Sequence, residues 1–429
     1  MFQSVRGFKD ILPPESERMT WLENLARGVL KRRCYKEIRL PTLEMKELYQ
    51  KSTGETSDIV EKEMFALTDA GERELALRPE ATPGIVRAYL ENNLHKMGGS
   101  AKFFTIGSMF RAERPQAGRF REFEQIDLEY LGNANPSADA EVICTLKQIL
   151  DESGLKDYSI EINSLGCAKC RKTNRDKQYD FLKAHSTALC QDCKRRMEKN
   201  PLRTLDCKQD APSFREIAPR LELCQECKMH FDSVQALLKR TGVPFEVNPL
   251  MVRGLDYYTR TVFEFKCKHL GSQDAVAAGG RYDDLIEQMG GSSTPAIGWA
   301  LGVERVLVAL DQGKAPEGPA EAASEGVHCV HVVSQGSPET QAGAFFVLEE
   351  LRLDSGLENV VASGGAFDRS FKSQFREANQ AKAEFVVVVG DDEAKKGVFL
   401  IKNMSTGEQK EVPKDQVSSY LNERLGKKS

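Results

Sequence analysis

The pattern of apolar and polar positions predicts a first helix from about Ser16 to Arg33, after a turn-rich opening at Asp10-Ile11-Leu12-Pro13-Pro14. Further along, Phe103, Phe104 and Ile106 predict one strand, and Phe123, Ile126, Leu128 and Tyr130 a second. The polar loop between them, Arg111 to Arg121, carries four arginines. Two strand-like pieces, Tyr158–Ile162 and Phe245–Asn248, bracket a cysteine-rich segment at about 164–230, which reads as an insertion in a larger domain. Residues 251–310 return to strands and Gly-rich turns and close on an apolar helix, Val303–Leu310. Asp311–Gly326 is rich in Pro, Gly, Ala and Glu and reads as a linker. Beyond it, the β-rich runs Val327–Val333 and Glu384–Val389 alternate with helical segments at about 340–353 and 369–382, which predicts a small α/β domain. The division expected is a main domain over 1–163 and 246–312, insertion over 164–245, linker over 313–326 and C-terminal domain over 327–429.

At 429 residues the chain is long enough for two or three ordinary domains. With 40% hydrophobic and 29% charged residues it has a globular composition. The first residues hold no signal-like apolar run, and no stretch approaches a membrane span, so a cytoplasmic protein without membrane contact is expected. The net charge of −4 argues against a uniformly basic RNA binder but leaves room for a local basic face. Seven of the eleven cysteines lie between Cys167 and Cys227, most in C-x-x-C pairs, which favours metal over disulfides in a reducing compartment.

Five segments carry candidate chemistry. In Leu77-Arg78-Pro79-Glu80-Ala81-Thr82-Pro83, Glu80 and Thr82 would share one side of an extended run and could bind an ammonium group. The alternative is a helix start with Thr82 as N-cap and Pro83 at the first helical position. The arginines from Arg111 to Arg121 suit phosphate, since guanidinium binds phosphoryl oxygens bidentately and keeps its charge; a solvated hairpin is the alternative. Arg253-Gly254-Leu255-Asp256-Tyr257-Tyr258 sets one cation beside two phenols. Gly279-Gly280-Arg281-Tyr282-Asp283 allows close approach of backbone to a ligand, or is a simple turn or bulge. Gly302-Val303-Glu304-Arg305 puts a cation near a helix start, where it opposes the dipole and calls for an external anion.

In this order the segments resemble class II aminoacyl-tRNA synthetases, and the histidyl-tRNA synthetase family in particular. Phe110-Arg111-Ala112-Glu113 looks like class motif 2 and Gly302-Val303-Glu304-Arg305 like motif 3. Arg253–Tyr258 and Ala278–Asp283 look like the two histidine signatures, and Arg6-Gly7-Phe8-Lys9-Asp10 also fits. The resemblance implies an α+β catalytic domain on an antiparallel sheet and a C-terminal α/β anticodon-binding domain. It implies a homodimer that activates histidine with ATP and Mg2+ and transfers it to tRNA(His). Glu80 and Thr82 would hold the α-amino group. Arg111 would bind the α-phosphate and help place the carboxylate, with Glu113 also at the nucleotide. Arg305 would bind the far phosphates. Glu129 and Tyr258 would read the imidazole, with Gln125, Tyr257 and Tyr282 beside them. Arg253 would act as the catalytic cation. Arg114, Gln116 and Arg119 would reach the tRNA acceptor end. Arg369, Lys372 and Arg376, on one expected helix, would face RNA or solvent. Motif 1 and the dimer interface would fall around Tyr35–Met45. A non-catalytic regulatory relative of histidine biosynthesis is the nearest rival, and a zinc-ribbon RNA-binding protein would explain only residues 164–230.

For the cysteines, Cys167, Cys170, Cys190 and Cys193 are expected as one structural zinc set, with Cys207, Cys224, Cys227 and His230 as a second. Spacing alone leaves the pairing open.

Overall fold

The computed structural model describes residues 2–425 except 55, 56, 58, 114–119, 208, 215, 268, 269, 271–273, 311–327 and 358. The expected linker therefore lies outside the described residues. The strands in chain order are β1 (Lys36–Glu37), β2 (Leu43–Met45), β3 (Ala66–Thr68), β4 (Glu74–Leu77), β5 (Ala101–Phe110), β6 (Glu122–Leu131), β7 (Ser159–Ser164) and β8 (Glu246–Val247). They continue with β9 (Thr259–Lys266), β10 (Ala275–Arg281), β11 (Ala296–Gly302), β12 (His328–Gln335), β13 (Val360–Ser363), β14 (Phe385–Gly390), β15 (Val398–Asn403) and β16 (Gln409–Pro413).

One sheet of eight strands runs β1-β5-β6-β11-β10-β9-β7-β8. Its six central strands pair antiparallel, and short parallel strands close both edges. The β5–β6 hairpin is the widest pairing, from Ala101 opposite Leu131 to Phe110 opposite Glu122. Alternation along β6 sorts its side chains. Ile126, Leu128 and Tyr130 join the core that includes Leu22, Ala26, Val29 and Leu30 of the first helix, Glu15–Arg32, and Ile143, Leu146 and Ile149 of helix Pro136–Glu152. Asn135 caps the latter helix, accepting a 2.9 Å bond from the Ser137 amide, and Pro136 occupies its first turn.

A small sheet, β2-β4-β3, leaves Leu43, Met45 and Leu67 exposed. The insertion is helical. Helices Ala168–Ala184, Gln191–Lys199 and Gln225–Arg240 and a 3-10 segment, Pro201–Asp206, surround a small apolar cluster of Leu182, Leu189, Met197 and Phe214. The C-terminal unit is a five-stranded sheet, β13-β12-β14-β15-β16, parallel through its first three strands and antiparallel beyond. Helices Pro338–Leu353, Phe371–Gln380 and Val417–Leu425 accompany it. Arg33, just past the end of the first helix, reaches Glu349 through two bonds of 2.9 and 2.8 Å, and Arg352 reaches Glu349 at 2.8 Å and Glu141 at 3.5 Å. These buried ion pairs fix the C-terminal unit against the elements that pack on the eight-stranded sheet. Arg369, expected on a helix over about 369–382, instead precedes the observed helix Phe371–Gln380 and bonds to Gly132 O at 3.0 Å and Glu377 at 2.7 Å, so it braces the two units and shares no helix surface with Lys372 and Arg376. No described helix is long and apolar enough to cross a membrane.

Candidate active site

The face of β6 opposite the core presents Gln125, Asp127 and Glu129 in alternation, all buried. Three polar side chains on the buried face of a central strand are costly unless something satisfies them. They form the floor of a cavity of about 780 Å3. The same cavity is lined by Glu80, Thr82, Arg111, Glu113, Arg253, Tyr257, Tyr258, Tyr282 and Arg305, so every described candidate for histidine or ATP contact converges there. Arg114, Gln116 and Arg119 lie outside the described residues.

At the deep end, Thr82 Oγ1 donates to Glu129 Oε1 at 2.6 Å, and the Tyr282 hydroxyl donates to Glu129 Oε2. Tyr257 OH donates to Glu80 Oε2 at 2.8 Å, and Thr53 Oγ1 to Glu80 Oε1 at 2.9 Å. Thr82 opens helix Thr82–Glu91, but its hydroxyl makes no cap bond; Ala81 is the N-cap. The side chain is therefore committed to the pocket. Gly298 stands opposite Glu129 in the ladder, and a Cβ there would overlap the Glu129 carboxylate. At Gly279 a Cβ would fall 2.7 Å from the Phe263 ring, and at Gly280 it would fall 2.7 Å from Thr261 O. The paired glycines thus serve close packing of β9, β10 and β11 rather than ligand approach. Arg281 between them and Tyr282 points to the core side, where it meets Asp139.

The cations sit nearer the mouth. Arg111 Nε donates to Pro79 O at 2.9 Å, and its guanidinium lies 5.2 Å from the Phe123 ring centre. Arg305 Nε donates to Ala275 O at 2.6 Å. Arg253 Nη1 donates to Glu264 at 2.8 Å, and Glu264 is held in turn by Lys266 at 3.4 Å. Among the described residues, Arg253 Nε, Gln125 Oε1 and Asp127 Oδ2 are buried without a hydrogen-bond partner. One donor and two acceptors left open in one cavity suit a ligand bearing both an anion and N–H groups.

Burial pushes the Glu129 carboxyl up to about 8; the Thr82 and Tyr282 bonds pull it down and the Glu80 charge raises it. Burial also holds Asp127 and Glu80 above the usual carboxylate range. For Glu129 the folded chain keeps a proton that the unfolded chain loses near 4.5. Its contribution to stability is therefore intact below 4.5 and is lost as pH rises to about 8. Without histidine, Glu129→Gln is expected to gain thermal stability relative to the unsubstituted chain as pH climbs through that window. Melting curves with a gap that does not widen would contradict this.

The insertion supplies the cavity roof through Cys190, Asp192, Arg196, Arg203, Asp206 and Cys207. Its cysteines sort differently from the expected sets. Cys167 and Cys170 gather with Cys224 and Cys227, and Cys190 and Cys193 gather with Cys207 and Asp210. The outer pairs meet because one follows the end of β7 and the other begins helix Gln225–Arg240, both at the root of the insertion. The inner pairs meet above the cavity. His230 belongs to neither set; its Nε2 lies 3.2 Å from Asp139. Asp210 went unnoticed in the sequence because its Cys207-x2-Asp210 spacing hides the pair when only cysteines are counted. Thr53, Asp127, Glu264 and Asp206 were also missed; only Asp127, alternating with Gln125 and Glu129, carries a local signal.

A mostly antiparallel sheet with motif arginines on its ligand face, joined to an anticodon-type mixed domain, defines a class II aminoacyl-tRNA synthetase. Residues 7–306 match the family model for histidyl-tRNA synthetase and residues 362–424 that for the anticodon binding domain. The histidine–tRNA ligase of Elusimicrobium minutum is 47% identical over 412 residues, covering 96% of this chain and 97% of that protein. That of Halothermothrix orenii is 44% identical over 410 residues, covering 95% and 96%. The solved apo histidyl-tRNA synthetase of S. aureus superposes with a TM-score of 0.60 at 31% identity, covering 98% of this chain and 100% of that one. An ATP phosphoribosyltransferase regulatory subunit/histidyl-tRNA synthetase from Bacillus halodurans shares the fold, with a TM-score of 0.55 at 21% identity over 91% of this chain and 98% of that one. The chain belongs to the histidyl-tRNA synthetase family.

Proposed function

We infer that the chain is a histidine–tRNA ligase, which activates L-histidine with ATP and transfers it to the 3′ end of tRNA(His). The observation that carries the residue assignments is the buried stripe Gln125, Asp127 and Glu129 facing Arg111 and Arg253 across one cavity. Glu80 and Thr82 receive the α-ammonium. Glu129, Tyr258 and Tyr282, with Gln125 and Tyr257 nearby, read the imidazole. A pocket of buried polar groups rejects apolar isosteres strongly, because they leave those groups unpaired. The carboxylate nucleophile is already ionised, so activation needs no general base. It needs two anions held together while charge grows on the phosphoryl oxygens, and Arg111, Arg253 and Arg305 supply fixed positive charge for that. Mg2+ carried by the nucleotide would offset phosphate charge, and Glu113 and Asp274, both lining the cavity, are hard oxygen donors that fit it.

The same reading takes the enzyme as a cytoplasmic homodimer. Leu43 and Met45, within the expected motif 1, and Leu67, on β3 of the same small sheet, are exposed and form an apolar surface suited to a second copy. Zinc at Cys167, Cys170, Cys224 and Cys227 would staple the root of the insertion; Cys167 Sγ and Cys170 Sγ lie 3.8 Å apart. Incubating the full chain with ATP, labelled histidine and tRNA(His) is expected to give acid-precipitable label that requires all three. Histidine binding without charging would instead favour a regulatory role.

A further inference from the structure

We propose that Cys190, Cys193, Cys207 and Asp210 bind a second zinc ion, which clasps the roof of the active site and positions it over Arg253. The four ligand atoms lie within 4.8 Å of one another. Cys190 Sγ and Cys207 Sγ are 3.8 Å apart, far longer than a disulfide and equal to the edge of a tetrahedron with Zn–S bonds of about 2.3 Å. Three backbone amides already point at the ligands: Cys193 N to Cys190 Sγ at 3.4 Å, Asp210 N to Cys207 Sγ at 3.4 Å and Cys190 N to Asp210 Oδ2 at 2.9 Å. Such bonds orient thiolate and carboxylate ligands. Asp210 is 5% exposed, and the hydrogen bonds given for its carboxylate come from Cys190 and Cys193. A buried carboxylate of that kind calls for a cation, and three soft sulfurs beside it select zinc over magnesium or calcium.

The placement gives the ion a role at the reaction. Cys190 and Cys193 begin helix Gln191–Lys199, and Cys207 and Asp210 follow the segment Pro201–Asp206. The metal would therefore tie together both ends of the roof. From that roof, Arg203 Nη1 donates to Gly254 O and Asn200 Nδ2 to Asp256 Oδ1 at 2.6 Å, which grips the signature that begins at Arg253 by one backbone carbonyl and one side-chain carboxylate. On the opposite rim, Arg195 lies 3.5 Å from Glu61. Without the metal, the 190–210 hairpin loses its closure and these grips loosen.

The catalytic arm of the test rests on the histidine–tRNA ligase reading; the metal arm does not. Elemental analysis of the purified full chain, dialysed against metal-free buffer, is expected to give two zinc ions per chain. Asp210→Ala and Cys227→Ser each leave one, and Asp210→Cys keeps two. The kcat of histidine-dependent ATP–pyrophosphate exchange falls roughly tenfold or more in Asp210→Ala and recovers in Asp210→Cys, as expected when a distant change misplaces catalytic groups. A single zinc that Cys227→Ser abolishes, or two zincs retained in Asp210→Ala, would remove the second site. Exchange unchanged in Asp210→Ala would overturn its coupling to Arg253. Two zincs in a chain with no exchange would support the site and count against the ligase reading alone.

Discussion

In Arg253→Ala, kcat for histidine activation falls by roughly 10²–10³-fold, and KM for histidine moves much less. The guanidinium is held by Glu264 at 2.8 Å, and Glu264 belongs to a relay with Lys266 and Glu161, which lie 3.0 Å apart. The charge is thus positioned before any ligand arrives, and its Nε–H is left to donate inward. Preorganisation of this kind acts on charge that develops in the transition state, which is why the loss appears in kcat. Arg253→Lys keeps the charge but loses the planar fork and should recover only part of the rate. Steady-state exchange kinetics at saturating ATP decide the matter. A large rise in KM with kcat preserved would make Arg253 a binding residue only.

The largest stability effect is expected at Asp139→Ala, about 3–5 kcal/mol, from breaking a fully buried ion pair and leaving one charge behind. Arg281 and Asp139 are both without solvent exposure. Arg281 Nε reaches both Asp139 oxygens at 3.1 and 2.9 Å, and its Nη1 and Nη2 donate to Asn133 O at 3.0 Å and Asn135 O at 3.2 Å. His230 adds a further contact to the same carboxylate at 3.2 Å. Removal of Asp139 strands the guanidinium in the core and loosens the strand end that carries Tyr282 into the pocket. Urea unfolding should show a lowered midpoint with an unchanged slope, together with a raised KM for histidine. A loss below about 1 kcal/mol would mean that Arg281 is satisfied by the carbonyls and Asp283 alone.

Much of this was legible in the chain. The hairpin of β5 and β6 announced itself through Phe103–Ile106 and Phe123–Tyr130 because one face packs on the first helix and therefore alternates. Glu80, Thr82, Arg111 and Arg253 could be singled out through the order of motifs that the family resemblance rests on, and the fold brings them to one cavity. What could not be read was pairing across the fold. Cys167 sits nearer in sequence to Cys190 than to Cys224, yet the return of the insertion to its own root brings Cys224 and Cys227 alongside it. Arg281 lies inside a ligand signature, and only the register of β10 turns it away from the ligand toward Asp139. The small residues of β10 and β11 look like turn formers in one dimension. Gly298 shows its purpose only beside Glu129.

ATP–pyrophosphate exchange across all twenty amino acids, with Arg253→Ala in parallel, tests the central claim most directly. Exchange with histidine alone, lost in the variant, is the result expected of a pocket in which Glu80, Thr82 and Glu129 select the substrate and Arg253 drives its activation. No exchange with any amino acid, in folded protein that still binds histidine, would contradict it.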